Sequence, residues 1–401
     1  MSKSRSLREL YAKVELIDIA EVSKWAAEDH SMATSLNQYV ENRLPTQTLH
    51  DIQANLTDIV VLGMYPTHFE RTASGLGIAG VQVLHPHPAP VSKRFNYVRP
   101  NFFLASNKRT LYVCVPPGKS YLKQYTSILL YFFSSQKLKP TFTLRYYPIA
   151  AETLAEWTDL ANETFDHNSV CIIGHVDEFE KNIPALASNA KVVADNPYFT
   201  RTTINLPNEV KAELVGFKFS FWGDIAFRVA FQLYKGGCNE VIYFGKVGAL
   251  ERHIDLYKTI IIPESFMIIE HDRVIEESFS VPNGLADFVK SHTHHVSTPT
   301  VMEQGYVQRN RLEQFRPQTI DNEIAYIALA TRRFNEMQAS RRPPVRFSSI
   351  SFATDYLRRP HEHMAPSIFD LSNNRSAEAL RMKAKAMSRA SRTLYDYLTS
   401  R

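Results

Sequence analysis

Two short apolar runs that each end in glycine, with a helical pattern between them, constrain this fold more than any other sequence feature. The runs cover residues 169–174 and 240–245, and each has the length and composition of a strand that is buried on both faces. Between them, residues 222–234 repeat apolar side chains at the spacing of one helical face. A strand, a helix and a strand in this order predict a largely parallel sheet with crossover helices.

Similar patterns on both sides of this region predict two α/β units. Residues 58–63 and 110–115 are typical of strands, and residues 121–133 are typical of a buried helix. We therefore expect an N-terminal α/β unit over residues 1–165, whose role the sequence does not indicate. We expect a second unit over residues 166–401, which closes with an amphipathic helix.

Composition and charge exclude several classes of protein. Hydrophobic residues make up 44% of the 401 residues and charged residues 22%, a balance that favours a globular core over disorder. The formal net charge of +5 is small for this length and does not favour a nucleic-acid binder. Cys114, Cys171 and Cys238 lie far apart in sequence and lack metal-ligand spacing, and no disulfide framework follows from them. We expect a cytoplasmic protein without membrane contact, because the first ten residues are polar and basic without a signal-peptide run and no apolar run approaches 18 residues.

Two glycine-containing segments of the second unit are candidates for binding an anion. Gly245 and Gly248 flank Lys246 after an apolar strand, and a turn there would let backbone N–H groups approach an anion or a sugar hydroxyl. Gly216 and Ser220 precede the helical pattern at 222–234, where N–H groups at a helix start favour anions. A glycine after a strand also has purely structural uses, so that alternative stays open for both segments.

Two acidic residues of the same unit are candidates for binding and catalysis. Glu323 begins a predicted helix, and a carboxylate there can accept two charge-assisted hydrogen bonds from vicinal hydroxyls. Asp355 follows a predicted strand, where a positioned acid can protonate a leaving group. Each residue also has an ordinary explanation, Glu323 as an early-helix acid favoured by the helix dipole and Asp355 as a turn residue.

The order of these segments resembles that of the nucleoside phosphorylase and nucleosidase superfamily over roughly residues 169–400: a glycine turn after a strand, a Glu at a helix start, then an Asp after the next strand. The resemblance implies a three-layer α/β/α domain with a mixed, largely parallel sheet, preceded by the smaller N-terminal α/β unit. It also implies residue roles. Asp355 would be the general acid, Glu323 and Met302 would contact the ribose, and phosphate or the nucleophile would be held by Gly216, Ser220, Gly245, Lys246 and Gly248.

The function implied by the resemblance is cleavage of the N-glycosidic bond of a nucleoside or nucleotide, without an organic cofactor, by a homo-oligomer. Two departures from the superfamily pattern leave its details open. Asn322 stands where the superfamily usually has Met, and the segment after Gly174 lacks the usual phosphate-binding pattern. Hydrolysis and phosphorolysis therefore both remain possible, with phosphate as a second ligand only in the latter. An inactive ligand-binding or regulatory module is the main alternative, and a nucleic-acid binder using the basic C-terminal helix is the weakest.

Histidines occur in two groups that do not form a recognisable metal motif. The spacing within each group matches neither HExxH nor a Cys/His zinc pattern. We therefore expect polar loop residues and no metal site; the residues are His292, His294, His295, His361 and His363.

Overall fold

The computed structural model describes residues 6–27, 30, 35–76, 78, 80–84, 94–256, 258–270, 273–289, 293–338, 343–359, 362 and 376–401. The chain divides into two compact units. The first comprises residues 1–92, 98–154 and 299–305, and the second comprises residues 93–97, 155–298 and 306–401. Two short segments therefore belong to a different unit from their sequence neighbours.

The elements of the first unit are α1 (Leu7–Leu10), β1 (Glu15–Ile17), α2 (Ala20–Ala27), α3 (Ser35–Glu41), α4 (Thr46–Ile52), β2 (Asp58–Gly63), α5 (Pro66–Thr72), β3 (Val81–Leu84), β4 (Asn101–Ala105), β5 (Thr110–Val115), α6 (Lys119–Ser135), β6 (Thr141–Tyr146) and α7 (Pro148–Glu152), with short 3-10 helices at Gln53–Asn55, Ser74–Leu76 and Val301–Glu303. The strands form one six-stranded sheet in the order β1-β6-β2-β5-β4-β3. The central strand β2 is parallel to both β5 and β6, whereas β3, β4 and β1 pair antiparallel at the two sides.

The second unit is larger and is built on one eleven-stranded sheet. Helix α8 (Leu154–Trp157) begins at the last residue of the preceding unit. The remaining elements are a 3-10 helix (Leu160–Asn162), β7 (Ser169–Gly174), α9 (Val176–Asn182), α10 (Pro184–Ala187), β8 (Ala190–Asp195), β9 (Phe199–Asn205), β10 (Lys211–Phe217), α11 (Asp224–Lys235), β11 (Glu240–Ala249), β12 (Ile260–Ile261), β13 (Pro263–Glu270), β14 (Arg273–Ser280), β15 (Thr293–Ser297), α12 (Tyr306–Leu312), β16 (Thr319–Asp321), α13 (Ile324–Gln338), β17 (Arg346–Tyr356) and α14 (Ala377–Thr399).

Strand β11 is the centre of the larger sheet. It is parallel to β7 on one side and to β17 on the other, and its C-terminal end also pairs antiparallel with β16. Strand β10 extends the parallel pairing beyond β7. Strands β13 and β15 are parallel to each other and to β16, which runs antiparallel to β11, and antiparallel strands complete the sheet. Strands β7 and β11 are buried on both faces, which explains why their sequences are nearly continuous apolar runs.

Helices cover both faces of this sheet. Helices α9 and α14 pack on the face that carries Ile242 and Phe244 of β11, where the buried side of α14 joins one apolar cluster with them. Helices α11 and α13 pack against each other and against β11 and β17. Their contact includes the rings of Tyr234 and Phe334, 5.5 Å apart, and a 2.7 Å hydrogen bond between Tyr234 Oη and Thr331 Oγ1. The predicted α/β class with a mixed sheet is confirmed.

Glu240 fixes α14 and β17 to the first residue of β11. Its side chain is fully buried, and one carboxylate oxygen accepts hydrogen bonds from the hydroxyls of Ser348 (2.7 Å) and Tyr397 (2.9 Å). The other oxygen lies 2.8 Å from Arg401 and 3.1 Å from Arg346. Two hydrogen bonds to one oxygen and two ion pairs to the other offset the desolvation of this buried carboxylate.

Replacing Glu240 by alanine is expected to lower the free energy of unfolding by roughly 3 kcal/mol, because the change leaves two buried hydroxyls and two cations without their shared acceptor. Urea unfolding monitored by circular dichroism measures the effect. The matched control is Glu378→Ala at an exposed position of α14, which should change stability by less than about 0.5 kcal/mol. Equal stability of both variants would contradict the anchoring role.

Candidate active site

A buried hydrogen-bond network joins β15, β16 and α13 at the centre of the candidate site. The parallel register places Ser297 opposite Asp321, and both side chains are buried. Asp321 Oδ1 lies 2.8 Å from His295 Nε2 and accepts a 2.6 Å hydrogen bond from Ser297 Oγ. His295 Nδ1 lies 2.8 Å from Thr319 Oγ1, so both ring nitrogens have partners. The imidazole and the carboxylate therefore hold two neighbouring strands in register.

The same carboxylate forms the N-terminal cap of α13. Asp321 Oδ2 accepts from the backbone N–H of Ile324 at 3.0 Å, and Oδ1 accepts from that of Glu323 at 3.1 Å. Ser297 Oγ accepts from the N–H of Ala325 at 2.9 Å. These bonds satisfy the first donors of the helix, the usual function of an acidic or hydroxyl cap. Asp321 therefore fixes the position from which the Glu323 side chain extends.

Glu323 lies at this helix start, as the sequence predicts, and its side chain is partly buried. One carboxylate oxygen accepts from the Asn322 N–H at 3.1 Å, and the carboxyl also shares a hydrogen bond with the Tyr243 hydroxyl. Burial, and next the negative charge of Asp321, raises the pKa of Glu323 well above its ordinary value. Burial, and next the Glu323 carboxylate, likewise raises the pKa of Tyr243. The carboxyl thus keeps its proton at a higher pH than an exposed glutamate does.

Two of the predicted anion-binding glycines lie inside strands and accommodate aromatic rings. Gly245 is the sixth residue of β11, which continues to Ala249, so the predicted turn at 245 is wrong. A Cβ atom on Gly245 would lie 2.1 Å from the Tyr243 ring, and one on Gly216 in β10 would lie 2.2 Å from the Phe95 ring. An aromatic ring packs directly against the Cα of each glycine, so that no larger residue fits at either position. The same ring fills the space that an anion would need beside the Cα.

The loop from β10 to α11 reaches the residue before Glu323. Ser220, in this loop, is buried and donates its hydroxyl hydrogen to Asn96 Oδ1. Gly223, the residue before α11, has a φ of 54°, a conformation that favours glycine, and its N–H donates to the carbonyl of Asn322 at 2.7 Å. The predicted loop thus contacts the start of α13, although the Ser220 hydroxyl is already bonded.

A one-residue bulge decides where Asp355 points. Val247 of β11 is opposite Ala353 of β17, whereas Gly248 is opposite Asp355, so Thr354 is the extra residue. Asp355 Oδ1 accepts a 2.7 Å hydrogen bond from Thr354 Oγ1. A Cβ atom on Gly248 would lie 3.2 Å from Asp355 Oδ2 and 3.1 Å from the Ile320 side chain. Asp355, Gly248 and Ile320 therefore share one face of the sheet.

The two predicted carboxyl groups lie on opposite faces of that sheet. Successive side chains of a strand alternate between faces, so Ile320 and Asp321 point in opposite directions. Asp321 is on the side of α13 together with Glu323 and Tyr243, and Asp355 is on the side of Ile320. Lys246, which is partly buried, is two residues from Gly248 and shares its face by the same alternation. The predicted residues thus form two groups instead of a single cluster.

Other predicted positions lie elsewhere or fall outside the described residues. Met302 is buried in the 3-10 helix at Val301–Glu303, which belongs to the first unit, whereas Glu323 belongs to the second. The expectation of a polar loop is wrong for His294 and His295, which lie in β15; His294 is partly buried and His295 is fully buried. His292, His361 and His363 lie outside the described residues.

Sequence reasoning missed the residues that hold Glu323 in place. Asp321 carried a usable signal, because an Asp before a helical pattern is a common N-cap. Tyr243 and His295 carried none, because a tyrosine in an apolar strand and a histidine among polar residues have no specific pattern. Within the described ranges, no cluster of His, Cys, Asp and Glu has the arrangement of a metal site. Nor does any described helix combine the length and apolarity that spanning a bilayer requires.

Comparison with known proteins identifies similar proteins without placing the chain in a family. No protein-family model matches the sequence. Among curated proteins, the chain is similar to the oxidoreductase cns1 of Cordyceps militaris, with 26% identity over 378 residues. The match covers 90% of this chain and 48% of that protein, so the chain spans about half the length of this relative.

Solved structures that are similar to this chain include nucleosidases and phosphorylases. Uridine phosphorylase from Vibrio fischeri is 13% identical, with 60% of this chain and 95% of that chain covered and a TM-score of 0.43. The 5'-methylthioadenosine/S-adenosyl homocysteine nucleosidase from Campylobacter jejuni is 10% identical, with 58% and 99% covered and a TM-score of 0.42.

The raised pKa of Glu323 predicts a pH-dependent effect of Glu323→Gln on stability. A carboxyl whose pKa is raised on folding stabilises the fold below its unfolded pKa of about 4.3, and this contribution is lost as pH rises through the folded value. The melting temperature of Glu323→Gln minus that of the natural chain should therefore increase from pH 4 to pH 9. Glu378→Gln, at an exposed position, should show no such trend. A difference that is constant with pH would contradict the assignment.

Proposed function

We propose that the second unit binds a nucleoside or nucleotide through its ribose hydroxyls, with Glu323 as the acceptor. The observation that carries this proposal is the partly buried Glu323 carboxyl, held at the start of α13 by the Asp321 cap and adjacent to the Tyr243 hydroxyl. A carboxyl and a phenol side by side offer two acceptors and one donor, which match the vicinal hydroxyls of a ribose.

Ribose binding at this position requires an exchange of hydrogen bonds. In the free protein the Glu323 carboxyl bonds to Tyr243 and retains its proton to a raised pH. Two ribose hydroxyls that donate to the carboxyl stabilise its charged form and lower its pKa. Nucleoside binding should therefore release a proton from Glu323 at a pH between the raised pKa of the free protein and the lower pKa of the complex, and Tyr243 becomes free to contact the sugar.

For glycosidic cleavage we propose Asp355 as the acid that protonates the departing base. The C1'–N bond breaks with its electron pair on the base, and Asp355 supplies a proton to the base nitrogen. C1' is attacked either by a phosphate oxygen or by a water, which then releases a proton to solvent. Lys246 and Gly248 share the face of Asp355 by strand alternation, and we propose Lys246 as the residue of the predicted set that holds that nucleophile. Gly216, Gly245 and Ser220 have less support in this role, because rings or an existing hydrogen bond occupy them.

A ligand-binding or regulatory module without turnover is the second candidate. The specific observation in its favour is the bulge at Thr354, which turns Asp355 to the face opposite Glu323. A nucleoside whose ribose lies at Glu323 then presents its base to Asp355 only if it reaches around the end of β11. The two candidates predict the same ribose binding and differ in the release of free base.

The experiment measures binding and base release by the purified full chain across a panel of nucleosides and nucleotides, with and without inorganic phosphate. Glu323→Gln should weaken nucleoside binding by about ten-fold or more, because it removes charge-assisted hydrogen bonds worth roughly 1.5–3 kcal/mol. Asp355→Asn should abolish base release and leave binding largely intact. Release only in the presence of phosphate identifies phosphorolysis.

The outcomes separate the candidates. Saturable nucleoside binding without any base release would contradict cleavage and favour the module. Unchanged affinity of Glu323→Gln, with Glu378→Gln as the matched control, would contradict ribose binding at this residue and both candidates with it. The homo-oligomer implied by the resemblance is part of the proposal, and the mass of the purified chain in solution tests it.

A further inference from the structure

A cavity of about 470 Å³ lies beyond the C-terminal end of β11. Its wall is formed by the segments after β11 and β17, by the end of α12 and by the residues before β16. All of these segments belong to the second unit. The cavity is lined by Glu251, His253, Arg309, Leu312, Glu313, Arg316, Pro317, Gln318 and Arg359.

Part of this lining is a fixed ionic frame. Arg309 is buried and donates to the backbone carbonyls of Leu250 (2.7 Å) and Leu357 (3.1 Å), so it ties the ends of β11 and β17 to α12. Glu313 lies 2.6 Å from Arg359 Nε and 3.7 Å from Arg309. The charge of Glu313 is therefore compensated inside the wall, and it does not cancel the remaining cations.

Arg316 gives the cavity a cation that is available to a ligand. Its side chain is exposed, and among the residues that the structure describes the guanidinium has no hydrogen-bond or ion-pair partner, whereas its backbone N–H donates to the carbonyls of Leu312 and Glu313. Its backbone has a φ of 51°, in the left-handed region, which is uncommon for a residue other than glycine or asparagine. His253, also exposed, lines the same cavity, so the side chains that are not committed to the frame include two potential donors to an anion.

We propose that this cavity binds a small phosphate-bearing ligand. Three guanidinium groups oppose two carboxylates in the lining, which leaves positive charge at neutral pH. Arginine is the side chain best suited to phosphate, because its planar fork donates two parallel hydrogen bonds to phosphate oxygens. The Glu251 carboxylate has no hydrogen-bond or ion-pair partner among the described residues, and it suits the hydroxyl groups of an attached sugar, which favours a sugar phosphate over free phosphate.

This site is separate from the proposed ribose site. Gln318, in the cavity wall, precedes the first residue of β16, whereas Glu323 follows the last one. The cavity therefore lies at the opposite end of β16 from the Glu323 carboxyl. It lies instead beyond the ends of the strands that carry Gly248 and Asp355. Gly248 is three residues before Glu251, and Asp355 is four residues before Arg359. The inference thus does not depend on nucleoside binding at Glu323.

Calorimetry on the full chain at fixed ionic strength tests the proposal with ribose 5-phosphate, inorganic phosphate and ribose. Ribose 5-phosphate is expected to bind at least about ten-fold more tightly than ribose, since a charge-assisted phosphate contact contributes on that scale. Arg316→Asn should reduce this affinity by about ten-fold. Asparagine is chosen at position 316 because it tolerates the left-handed backbone. If ribose 5-phosphate binds more tightly than inorganic phosphate, the ligand of the cavity is a phosphate ester. If the two bind equally, the ligand is free phosphate.

The matched control is Arg392→Gln, at an exposed position of α14. That helix ends at the start of β11, where Arg401 pairs with Glu240, and so Arg392 lies toward the other end of the sheet. Equal affinities for ribose 5-phosphate and ribose would overturn the proposal. The proposal would also be overturned if Arg316→Asn lowered the melting temperature without changing the affinity for phosphate. Arg316 would then be a structural partner of the α12 C-terminus. Glu323→Gln should leave phosphate binding unchanged, which separates this test from that of the proposed function.

Discussion

The Asp321 carboxylate is the interaction on which the candidate site depends. It pairs β15 with β16 through His295 and Ser297, and it caps the helix that carries Glu323. Because all of these groups are buried, the carboxylate has few alternatives to its present partners, and the start of α13 is held rigidly. The same negative charge acts on Glu323, so one residue determines both where the candidate ribose acceptor lies and how readily it ionises.

The glycines in this sheet show how a familiar pattern can serve a different purpose. Gly-rich segments after strands often expose N–H groups to anions, and that was the basis for expecting such a role at Gly245 and Gly216. In this fold both residues remain in strands, and the missing Cβ leaves room for the rings of Tyr243 and Phe95. The Tyr243 ring carries a hydroxyl to Glu323, so Gly245 still contributes to the candidate site, through packing.

Much of the fold could be predicted from the sequence, because local patterns determine it. The strand over 169–174 has the predicted bounds, and the start of β11 and the helix after Glu323 agree within a residue, since apolar runs and helical spacing mark each of them. The face of the sheet on which the Asp355 side chain lies could not be predicted. Without the bulge at Thr354, Asp355 would be opposite Ala249 and would share a face with Tyr243. One extra residue moves the Asp355 side chain to the other face of the sheet, and no sequence pattern marks a bulge of this kind.

The central claim, that Glu323 receives the ribose hydroxyls, is tested most directly by the carboxyl ¹³C resonance of Glu323. In protein labelled at glutamate, its titration is followed by NMR with and without adenosine, and Glu323→Gln assigns the signal. The account predicts a raised pKa in the free protein that falls when adenosine binds and stays raised with 2',3'-dideoxyadenosine. A titration of Glu323 that saturating adenosine leaves unchanged would contradict it.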